Sequence, residues 1–269
     1  MPGLADLTGR RAFAAELARE AAAILYRMRG TADVVWKARG DLVTAADKAA
    51  EAHIVSRLAE RFPEDSIVGE EGGGSTIVAS DWVWYVDPLD GTTNFVHGLP
   101  HYCTSIGATF RGRPAVGAIA APELGDPDNG GRLWLAARGL GATLDGVPIH
   151  VSPVAELGQA LAATGFPYDR STRAAELVRP VERALVKCLC VRRLGSAALD
   201  LALVASGTFP IFWESHLKPW DLAAGVVLVE EAGGRVTDHA GGAGWLASGD
   251  VVATNGVLHD AFVRDVLGA

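Results

Sequence analysis

The sequence predicts an α+β or α/β protein built as two lobes that share one site. Three observations support this class: an ordinary globular composition, a helical period in the N-terminal segment, and short β-type runs after it. Hydrophobic residues make up 49% of the 269 positions, charged residues 21%, and glycine occupies 32 positions. These values are typical of a globular α/β protein, and a chain of this length can bury a large core.

Two long helices are predicted in the N-terminal segment. Apolar residues recur at intervals of three and four along residues 11–28, which is the period of an amphipathic helix, and Gly30 provides a stop. A second helix is predicted from residue 44 to 62, ending before Pro63. No strand is predicted ahead of these two helices or between them.

The pattern of residues 82–137, in the middle of the chain, predicts a sheet. Short β-type runs separated by Gly, Pro and Asp lie at 82–86, 104–110, 115–121 and 133–137. Asp145 and Gly146 predict a tight hairpin turn between residues 142–144 and 147–151.

Strands and helices alternate after residue 152. Strands are predicted at 161–164, 189–192 and 209–213, with helices at 172–186, 197–205, 221–231 and 257–267 and further short strands before the last helix. This change in order predicts an N-terminal α+β lobe at 1–150 and a C-terminal α/β lobe at 151–269.

Charge and cysteine content exclude several classes. The net charge is −8 and no window concentrates Lys or Arg, which argues against nucleic-acid binding as the main task. The N-terminus lacks a signal-peptide pattern and no apolar run approaches the ~20 residues of a membrane span, so a cytoplasmic protein is predicted. Three cysteines, Cys103, Cys188 and Cys190, fit neither a disulfide framework nor a zinc site.

The string DPLDGTTNF at 87–95 carries the strongest chemical signal. Asp87 and Asp90 follow an apolar strand, at the kind of strand end where α/β proteins collect ligand groups. A tight turn there is predicted to aim both carboxylates and the Leu89 carbonyl into one pocket, and such oxygen ligands suit Mg²⁺. Gly91 and Thr92 would open a short helix whose N–H groups can hold a phosphate. The Asp-x-x-Asp-Gly pattern alone favours a plain turn with Asx-type hydrogen bonds, but the full nine-residue string is far more specific.

Three further acidic residues have both a structural and a chemical explanation. Glu70 lies in the glycine-rich stretch 68–74, which alone would be a solvated loop. Asp221 is placed at or beside the N-cap of an apolar helix, a position that Asp favours without any other duty. Thr44 and Asp47 form a capping pair at the start of the second predicted helix.

Taken in order, these motifs resemble those of the inositol monophosphatase family. The matching segments are 37–47, 69–71, 87–95, 195–198, 213–214 and 220–221, and the likeness spans nearly the whole chain. The 87–95 string and the Trp220-Asp221 pair are seldom found together outside this superfamily. The resemblance implies a layered α-β-α-β-α sandwich of the inositol monophosphatase and fructose-1,6-bisphosphatase type.

The resemblance also implies a set of metal ligands. Glu70, Asp87 and the Leu89 carbonyl look like the ligands of a first Mg²⁺, and Asp87, Asp90 and Asp221 look like those of a second. A third, weaker ion near Glu70 would bring the count to two or three per site.

The catalytic and substrate-binding residues follow from the same likeness. Glu70 and the Thr92–Asp47 pair match the catalytic positions of the family. The positions that would contact phosphate and alcohol are Asp90, Gly91, Thr92, Gly195, Ser196, Ala197, Glu214 and Asp221. The implied mechanism is in-line attack on phosphorus by a water that one Mg²⁺ makes acidic, while a second ion stabilises the departing alkoxide.

Several expectations remain open at this level. Residues 93–95 and Glu214 resemble inositol phosphatases more than nucleotide bisphosphatases, so inositol monophosphate is the expected substrate. Histidinol phosphate, fructose 1,6-bisphosphate and 3′-phosphoadenosine 5′-phosphate are alternatives that fold-level likeness does not separate. A non-catalytic regulatory protein on this scaffold is the alternative from another class. The family likeness also suggests a homodimer acting on a small phosphorylated metabolite.

Two pairs of side chains invite a functional reading that the sequence does not favour. His97 and His101 lie four residues apart, but Mg²⁺ prefers oxygen ligands, so both are predicted to be structural. Trp213 and Trp220 are predicted to serve as core and pocket wall.

Overall fold

A computed structural model describes residues 2–30, 34–38, 41–72, 76–127 and 130–268. The first helix, α1, runs over Leu4–Met28 and so begins earlier than the predicted residue 11. Its added first turns bury Leu7 and Arg10, and the Arg10 guanidinium pairs with the buried carboxylate of Asp65. Helix α2 covers Ala45–Arg61, as predicted.

A β-hairpin lies between these two helices, where no strand was predicted. Strand β1 (Val34–Ala38) pairs antiparallel with β2 (Asp41–Thr44). Its short β-branched and aromatic runs were too brief to show a period of their own. Strand β3 (Ser66–Gly69) was also missed.

The larger sheet has seven strands in chain order. After β3 come β4 (Trp82–Asp90), β5 (Cys103–Phe110), β6 (Arg113–Ala121), β7 (Arg132–Ala137), β8 (Ala142–Leu144) and β9 (Val147–Pro148). β3 is parallel to β4, and every other neighbouring pair is antiparallel. The predicted hairpin turn joins β8 to β9, with left-handed φ values of 51° at Asp145 and 81° at Gly146.

The smaller sheet has five strands in the order β11-β10-β12-β14-β13. They are β10 (Leu161–Thr164), β11 (Cys190–Arg192), β12 (Ile211–Glu214), β13 (Arg235–Thr237) and β14 (Val251–Thr254). β10 is parallel to both of its neighbours, whereas β14 is antiparallel to both of its own.

The remaining helices lie around and between the sheets. They are α3 (Thr92–Val96), α4 (Arg170–Lys187), α5 (Ala197–Ala205), α6 (Pro219–Glu231), α7 (Trp245–Ser248) and α8 (His259–Phe262). A 3-10 turn spans Leu157–Gln159, and a π-helical turn spans Val263–Leu267. The predicted helix at 257–267 is therefore a short α-helix that widens into a π turn.

The elements stack in five layers. α1 and α2 form one core with the larger sheet, and α5 and α6 fill the space between the two sheets. On the outer face of the smaller sheet, Ala184 and Cys188 at the end of α4 pack with Phe262 and Val266. This α-β-α-β-α order confirms the predicted fold class.

Helix α6 approaches the larger sheet unusually closely. A Cβ added to Gly107 of β5 would come within 2.5 Å of the Ala224 backbone nitrogen, and one on Gly117 of β6 would also overlap the Ala224 backbone. Two glycines therefore leave the space in which α6 lies. This contact joins the C-terminal part of the chain to the N-terminal sheet. The division into lobes at residue 150 stays a prediction, although sheet membership changes between Pro148 and Leu161.

Within the described ranges, none of the helices combines the length and the apolar character needed to cross a bilayer.

Candidate active site

A cleft of about 310 Å³ opens between the two sheets, at the end of β4 and the start of α6. It is lined by Glu70, Asp87, Leu89, Asp90, Gly91, Thr92, Thr93, Phe166, Pro167, Tyr168, Arg193, Gly195, Ala197, Glu214, His216, Leu217, Lys218, Trp220 and Asp221. Every residue expected to touch metal or substrate lies in this lining except Ser196, which is buried beneath it.

A bulge, and not the tight turn predicted, presents Asp87 and Asp90. β4 continues through both residues, and its pairing with β5 shifts between them: Asp87 faces Ser105 and Asp90 faces Cys103. Three steps along β4 thus match two along β5, which turns the side chains of the bulged strand. Oδ1 of Asp87 accepts a 3.0 Å hydrogen bond from the Leu89 N–H.

The capping pair at the start of α2 reaches the cleft from behind. Asp47 is buried, and its Oδ2 accepts hydrogen bonds from the Thr44 N–H at 2.8 Å and the Thr44 hydroxyl at 2.6 Å. Its other oxygen lies 3.3 Å from the Thr92 hydroxyl, which also lies 3.0 Å from the Leu89 carbonyl. Asp47 therefore both caps a helix and contacts the threonine of the 87–95 string.

Asp221 is the third residue of α6, whereas the sequence predicted it at or beside the N-cap. The N-cap is Lys218, and Pro219 occupies the first turn. The Asp221 carboxylate accepts a 2.7 Å hydrogen bond from the Lys218 N–H. The Ser105 hydroxyl of β5 donates to the Trp220 carbonyl at 3.3 Å, which fixes the start of α6 against the sheet.

The turn before α5 holds Asp90. Its Oδ2 accepts hydrogen bonds from the Ser196 hydroxyl at 2.8 Å and the Ala198 N–H at 2.7 Å. Gly195 has a φ of +93°, a left-handed conformation that favours glycine. Asn94 joins this turn to α3, because its Nδ2 donates to the Leu194 carbonyl at 2.8 Å and to the His101 carbonyl at 2.6 Å.

Glu214 closes the far side of the cleft from the end of β12. It is buried, and a Cβ on Gly165 would overlap its carboxylate, so the glycine leaves room for the acid. Its backbone carbonyl lies 3.1 Å from Nε2 of His239.

The acids of the cleft disfavour one another's charge. Burial, then repulsion from Glu70, Asp90 and Asp221, raises the pKa of Asp87 well above its ordinary value. Burial and the charge of Asp90 likewise raise the pKa of Asp221. Burial raises the pKa of Asp90 to about 6, against the hydrogen bonds from Ser196 and Ala198, which lower it. Burial also raises the pKa of Glu214 and, less strongly, that of Asp47.

This donor set fits a hard divalent cation. Glu70, Asp90 and Asp221 lie close enough to Asp87 for their charges to raise its pKa, so the four acids converge in the cleft. No Lys or Arg of the described chain forms an ion pair with Asp87, Asp90 or Asp221. A bound cation would relieve that repulsion, and oxygen donors suit Mg²⁺. Among the residues described, no group of three or more His, Cys, Asp or Glu side chains is arranged so that it could hold a metal ion.

Of the histidine and tryptophan pairs singled out in the sequence, only Trp220 lines the cleft. His97 is exposed, and Nε2 of His101 lies 3.3 Å from the buried carboxylate of Asp200. Trp213 packs against Phe262 in the outer core, whereas Trp220 lines the cleft, so the pair serves as core and pocket wall. Residues 73 and 74 of the glycine-rich stretch, and the side chains at 37 and 41, lie outside the described part of the chain.

Sequence reasoning missed the groups at the mouth of the cleft. Arg193 and Lys218 bring positive charge there, and Phe166 and Tyr168 supply aromatic rings. Arg193 and Lys218 could have been found, because they lie close to the recognised motifs at 195–198 and 220–221. No sequence pattern pointed to the loop at 166–168. The buried Glu51 was also missed, although it lies one turn beyond Asp47 and accepts a 2.9 Å hydrogen bond from the Glu71 N–H.

Comparisons with known proteins agree with this geometry. The sequence model of the inositol monophosphatase family matches residues 6–268. The chain is 41% identical over 241 residues to a putative Nus factor SuhB of Neisseria meningitidis serogroup B, which covers 88% of this chain and 90% of that protein. It is 40% identical over 237 residues to the chloroplastic phosphatase IMPL1 of Arabidopsis thaliana, covering 88% of this chain and 64% of that one.

A solved structure gives the same result. The inositol monophosphatase from Anabaena (Nostoc) sp. PCC 7120 superposes with a TM-score of 0.85 at 39% identity, covering 97% of this chain and 96% of that one. With a family match over almost its full length and relatives alike in both sequence and fold, the chain belongs to the inositol monophosphatase family.

Proposed function

We propose that this protein is a Mg²⁺-dependent phosphomonoesterase that hydrolyses inositol monophosphate to inositol and phosphate. Membership of the family supports phosphatase activity in general. The observation that carries the proposal is the meeting of Glu70, Asp87, Asp90 and Asp221 in one cleft beside the Thr92–Asp47 contact. A phosphate ester entering such an acidic cleft would be repelled unless cations were bound there.

The family is generally Mg²⁺-dependent, and the residues that would hold two or three ions are Glu70, Asp87, Asp90, Asp221 and the Leu89 carbonyl. When bound, Mg²⁺ supplies positive charge for the phosphate and makes a coordinated water more acidic. The chain's own groups then divide the remaining work. In this proposal Asp90 and Asp221 serve the alcohol half of the substrate, and Glu70 accepts a proton from the attacking water.

Thr92 and Asp47 orient that water in our proposal. The Thr92 hydroxyl has one proton, which it donates towards Asp47 or the Leu89 carbonyl, 3.3 and 3.0 Å away. Its lone pairs are then left to accept a hydrogen bond from the cleft. Gly91 and Thr92 also line the cleft at the start of α3, where first-turn N–H groups have no partner within the helix and can hold the phosphate.

Inositol is the alcohol we propose, held by Glu214 and the turn at Gly195, Ser196 and Ala197. The support is the buried carboxylate of Glu214, which can accept hydrogen bonds from hydroxyl groups. Relatives that carry the names inositol monophosphatase and phosphatase point to the same class. Comparing kcat/KM for inositol 1-phosphate, histidinol phosphate, fructose 1,6-bisphosphate and 3′-phosphoadenosine 5′-phosphate tests this choice of substrate.

The charge of Asp90 provides the sharpest test of the metal site. Asp90→Asn keeps the shape and an oxygen for the Ser196 and Ala198 hydrogen bonds but removes the charge. We expect it to abolish nearly all Mg²⁺-dependent phosphate release while leaving the circular dichroism spectrum unchanged. The matched control is Asp81→Asn, an exposed acid outside the cleft, which should retain wild-type turnover. Near-normal turnover of Asp90→Asn at saturating Mg²⁺ would falsify the two-ion site.

A regulatory role on the same scaffold is the second candidate function. Relatives named Nus factor SuhB match this chain at about the same identity as the relative named phosphatase. The complete acidic set favours catalysis, since a protein freed from catalysis would have no need to retain four mutually repelling carboxylates. Absence of Mg²⁺-dependent phosphate release from any of the four esters, in a folded protein, would favour regulation.

We also propose a cytoplasmic homodimer. The dimer is supported by family likeness and by the exposed side chains of Leu185, Val186 and Leu189 at the end of α4 and just beyond it. Light scattering should give twice the 28.1 kDa chain mass. Leu189→Glu should shift the distribution towards the monomer, and a wild-type protein that is monomeric at micromolar concentration would contradict the proposal.

A further inference from the structure

Arg193 places a cation at the alcohol end of the cleft. It lines the same cleft as Glu214 and Ala197 and is exposed to solvent at the mouth. It lies three residues before Ser196, whose hydroxyl holds Asp90. The guanidinium is therefore tied by chain connectivity to the turn that faces the leaving group.

The backbone makes room for this guanidinium. A side-chain carbon added at Gly195 would clash with Nη1 of Arg193, which shows that the guanidinium lies over the glycine. Its planar fork of N–H donors thus lies directly against the segment proposed to contact the alcohol. Such a fork matches the geometry of a carboxylate or phosphate.

Arg193 forms no ion pair among the described residues. The nearest acids in its electrostatic surroundings, Asp200 and Glu214, are both buried and lie beyond the 4.0 Å that defines a pair. Its matched neighbour Arg192 behaves differently, because the Arg192 guanidinium bonds to Cys190 Sγ and the Val191 carbonyl and does not line the cleft. Arg193 therefore has donors available for a ligand.

Two other features at the mouth support an anionic ligand. The Lys218 side chain lines the cleft and is exposed, and no ion pair to it is found in the described part of the chain. Tyr168 also lines the cleft and exposes 54% of its surface. Two cations that line one cleft without an ion pair among the described residues can attract an anionic group of a ligand.

We propose that Arg193 is a specificity-determining residue that binds a second anionic group on the alcohol half of the substrate. Inositol monophosphate would remain a substrate, and among inositol esters one whose ring carries a second phosphate would be hydrolysed with a higher kcat/KM. This inference rests on the proposed phosphatase function and adds a substrate class to it.

The test measures kcat/KM for inositol 1-phosphate, whose alcohol is neutral, and for inositol 1,4-bisphosphate, whose alcohol carries a second phosphate. Wild type should favour the bisphosphate, and the preference should shrink as ionic strength rises. Arg193→Gln should reduce the ratio of kcat/KM for the bisphosphate to kcat/KM for inositol 1-phosphate by about tenfold or more. The main cause should be a higher KM for the bisphosphate, because a charge-assisted bidentate contact is lost. Arg193→Lys should restore part of that ratio, and Arg192→Gln should leave it at the wild-type value.

The outcomes of this test distinguish failure of the Arg193 proposal from failure of the proposed phosphatase function. Hydrolysis of inositol 1-phosphate with no preference for the bisphosphate, or an unchanged ratio in Arg193→Gln, overturns the role of Arg193 and leaves the phosphatase proposal standing. An equal fall of the ratio in Arg192→Gln and Arg193→Gln also overturns it, because the effect would then be one of general surface charge. Failure to hydrolyse either ester contradicts the phosphatase function itself.

Discussion

The Thr92 hydroxyl is the single group whose removal should separate chemistry from binding. It contacts Asp47 and the Leu89 carbonyl and lies beside the first turn of α3. Thr92→Val keeps the shape but removes the hydroxyl. We expect kcat to fall by about 10²-fold or more with KM little changed, since positioning of the water acts on the transition state.

The conservative variant supplies the control for this prediction. Thr92→Ser keeps the hydroxyl and should retain much of the wild-type kcat. A rise in KM with unchanged kcat in Thr92→Val would assign the hydroxyl to substrate binding.

His259 gives the molecule a pH dependence that is separate from catalysis. The ring is fully buried, with Nε2 2.9 Å from the Thr237 hydroxyl and Nδ1 3.0 Å from the Thr254 hydroxyl. Thr237 donates to the Asp238 carbonyl, and Thr254 accepts from the Gly256 N–H, so the network suits a neutral ring protonated at Nε2. Burial, together with the charge of Arg235, lowers the pKa of His259 to about 4.

The sign of the effect follows from that lowered pKa. The unfolded chain gains a proton on His259 near pH 6.5, whereas the folded chain gains it only near pH 4. The stabilising contribution is therefore complete above pH 6.5 and is lost as the pH falls towards 4, amounting to at most about 3 kcal/mol. Denaturant unfolding at pH 7 and pH 4.5 should show this loss in wild type and a smaller one in His259→Gln. Equal losses in the two proteins would contradict the assignment.

At the scale of elements, the contact of α6 with the larger sheet decides where Asp221 lies. Gly107 and Gly117 leave the space for the backbone at Ala224. We expect Gly107→Ala to lower the free energy of unfolding by about 1–3 kcal/mol or more, because the added methyl meets backbone atoms that yield little. Activity should fall as well, since α6 carries Trp220 and Asp221 into the cleft.

A glycine without close neighbours provides the matched control. Gly9 is exposed within α1 and has no atom within 4 Å of an added Cβ. Gly9→Ala should raise the free energy of unfolding by roughly 0.5–1 kcal/mol through helix propensity, with unchanged turnover. Thermal or denaturant unfolding measures both changes, and stabilisation by Gly107→Ala would show that α6 does not pack as described.

At the scale of the whole molecule, the proposed Mg²⁺ site would link metal binding to folding through the same carboxylates. Mg²⁺ at 100 times its Kd should stabilise the folded protein by about 2.7 kcal/mol and raise Tm by several degrees. In EDTA, Asp90→Asn should be more stable than wild type, because one repelling charge is gone. Mg²⁺ should raise the Tm of Asp90→Asn less than it raises the Tm of wild type.

A thermal melt with and without EDTA measures that linkage. Asp81→Asn serves as the control, because its exposed acid lies outside the cleft and should leave the Mg²⁺-dependent shift at its wild-type size. An identical shift in Asp90→Asn would show that Mg²⁺ acts at another place on the protein.

Long, periodic segments were predicted, and short ones only in part. The helices at 45–61 and 219–231 and the antiparallel strands from 82 to 137 lie close to where the apolar pattern placed them. The β1–β2 hairpin and β3 were missed, whereas β10, which is equally short, was predicted at its observed bounds of 161–164. The bulge at Asp87 and Asp90 was predicted as a turn, since an extra residue in a strand is visible only against the strand it pairs with.

The sequence by itself supplied the acidic residues of the candidate site, and the resemblance of its motifs to the inositol monophosphatase family implied the layered class. Only the tertiary structure decided that those acids meet, that Asp221 is the third residue of its helix, and that Arg193 faces the cleft without an ion pair among the described residues. The physical reason is that residues far apart in the chain interact only after two sheets and the helices between them have packed. Local patterns specify elements, but the charge and the free donors of a site depend on neighbours that packing alone supplies.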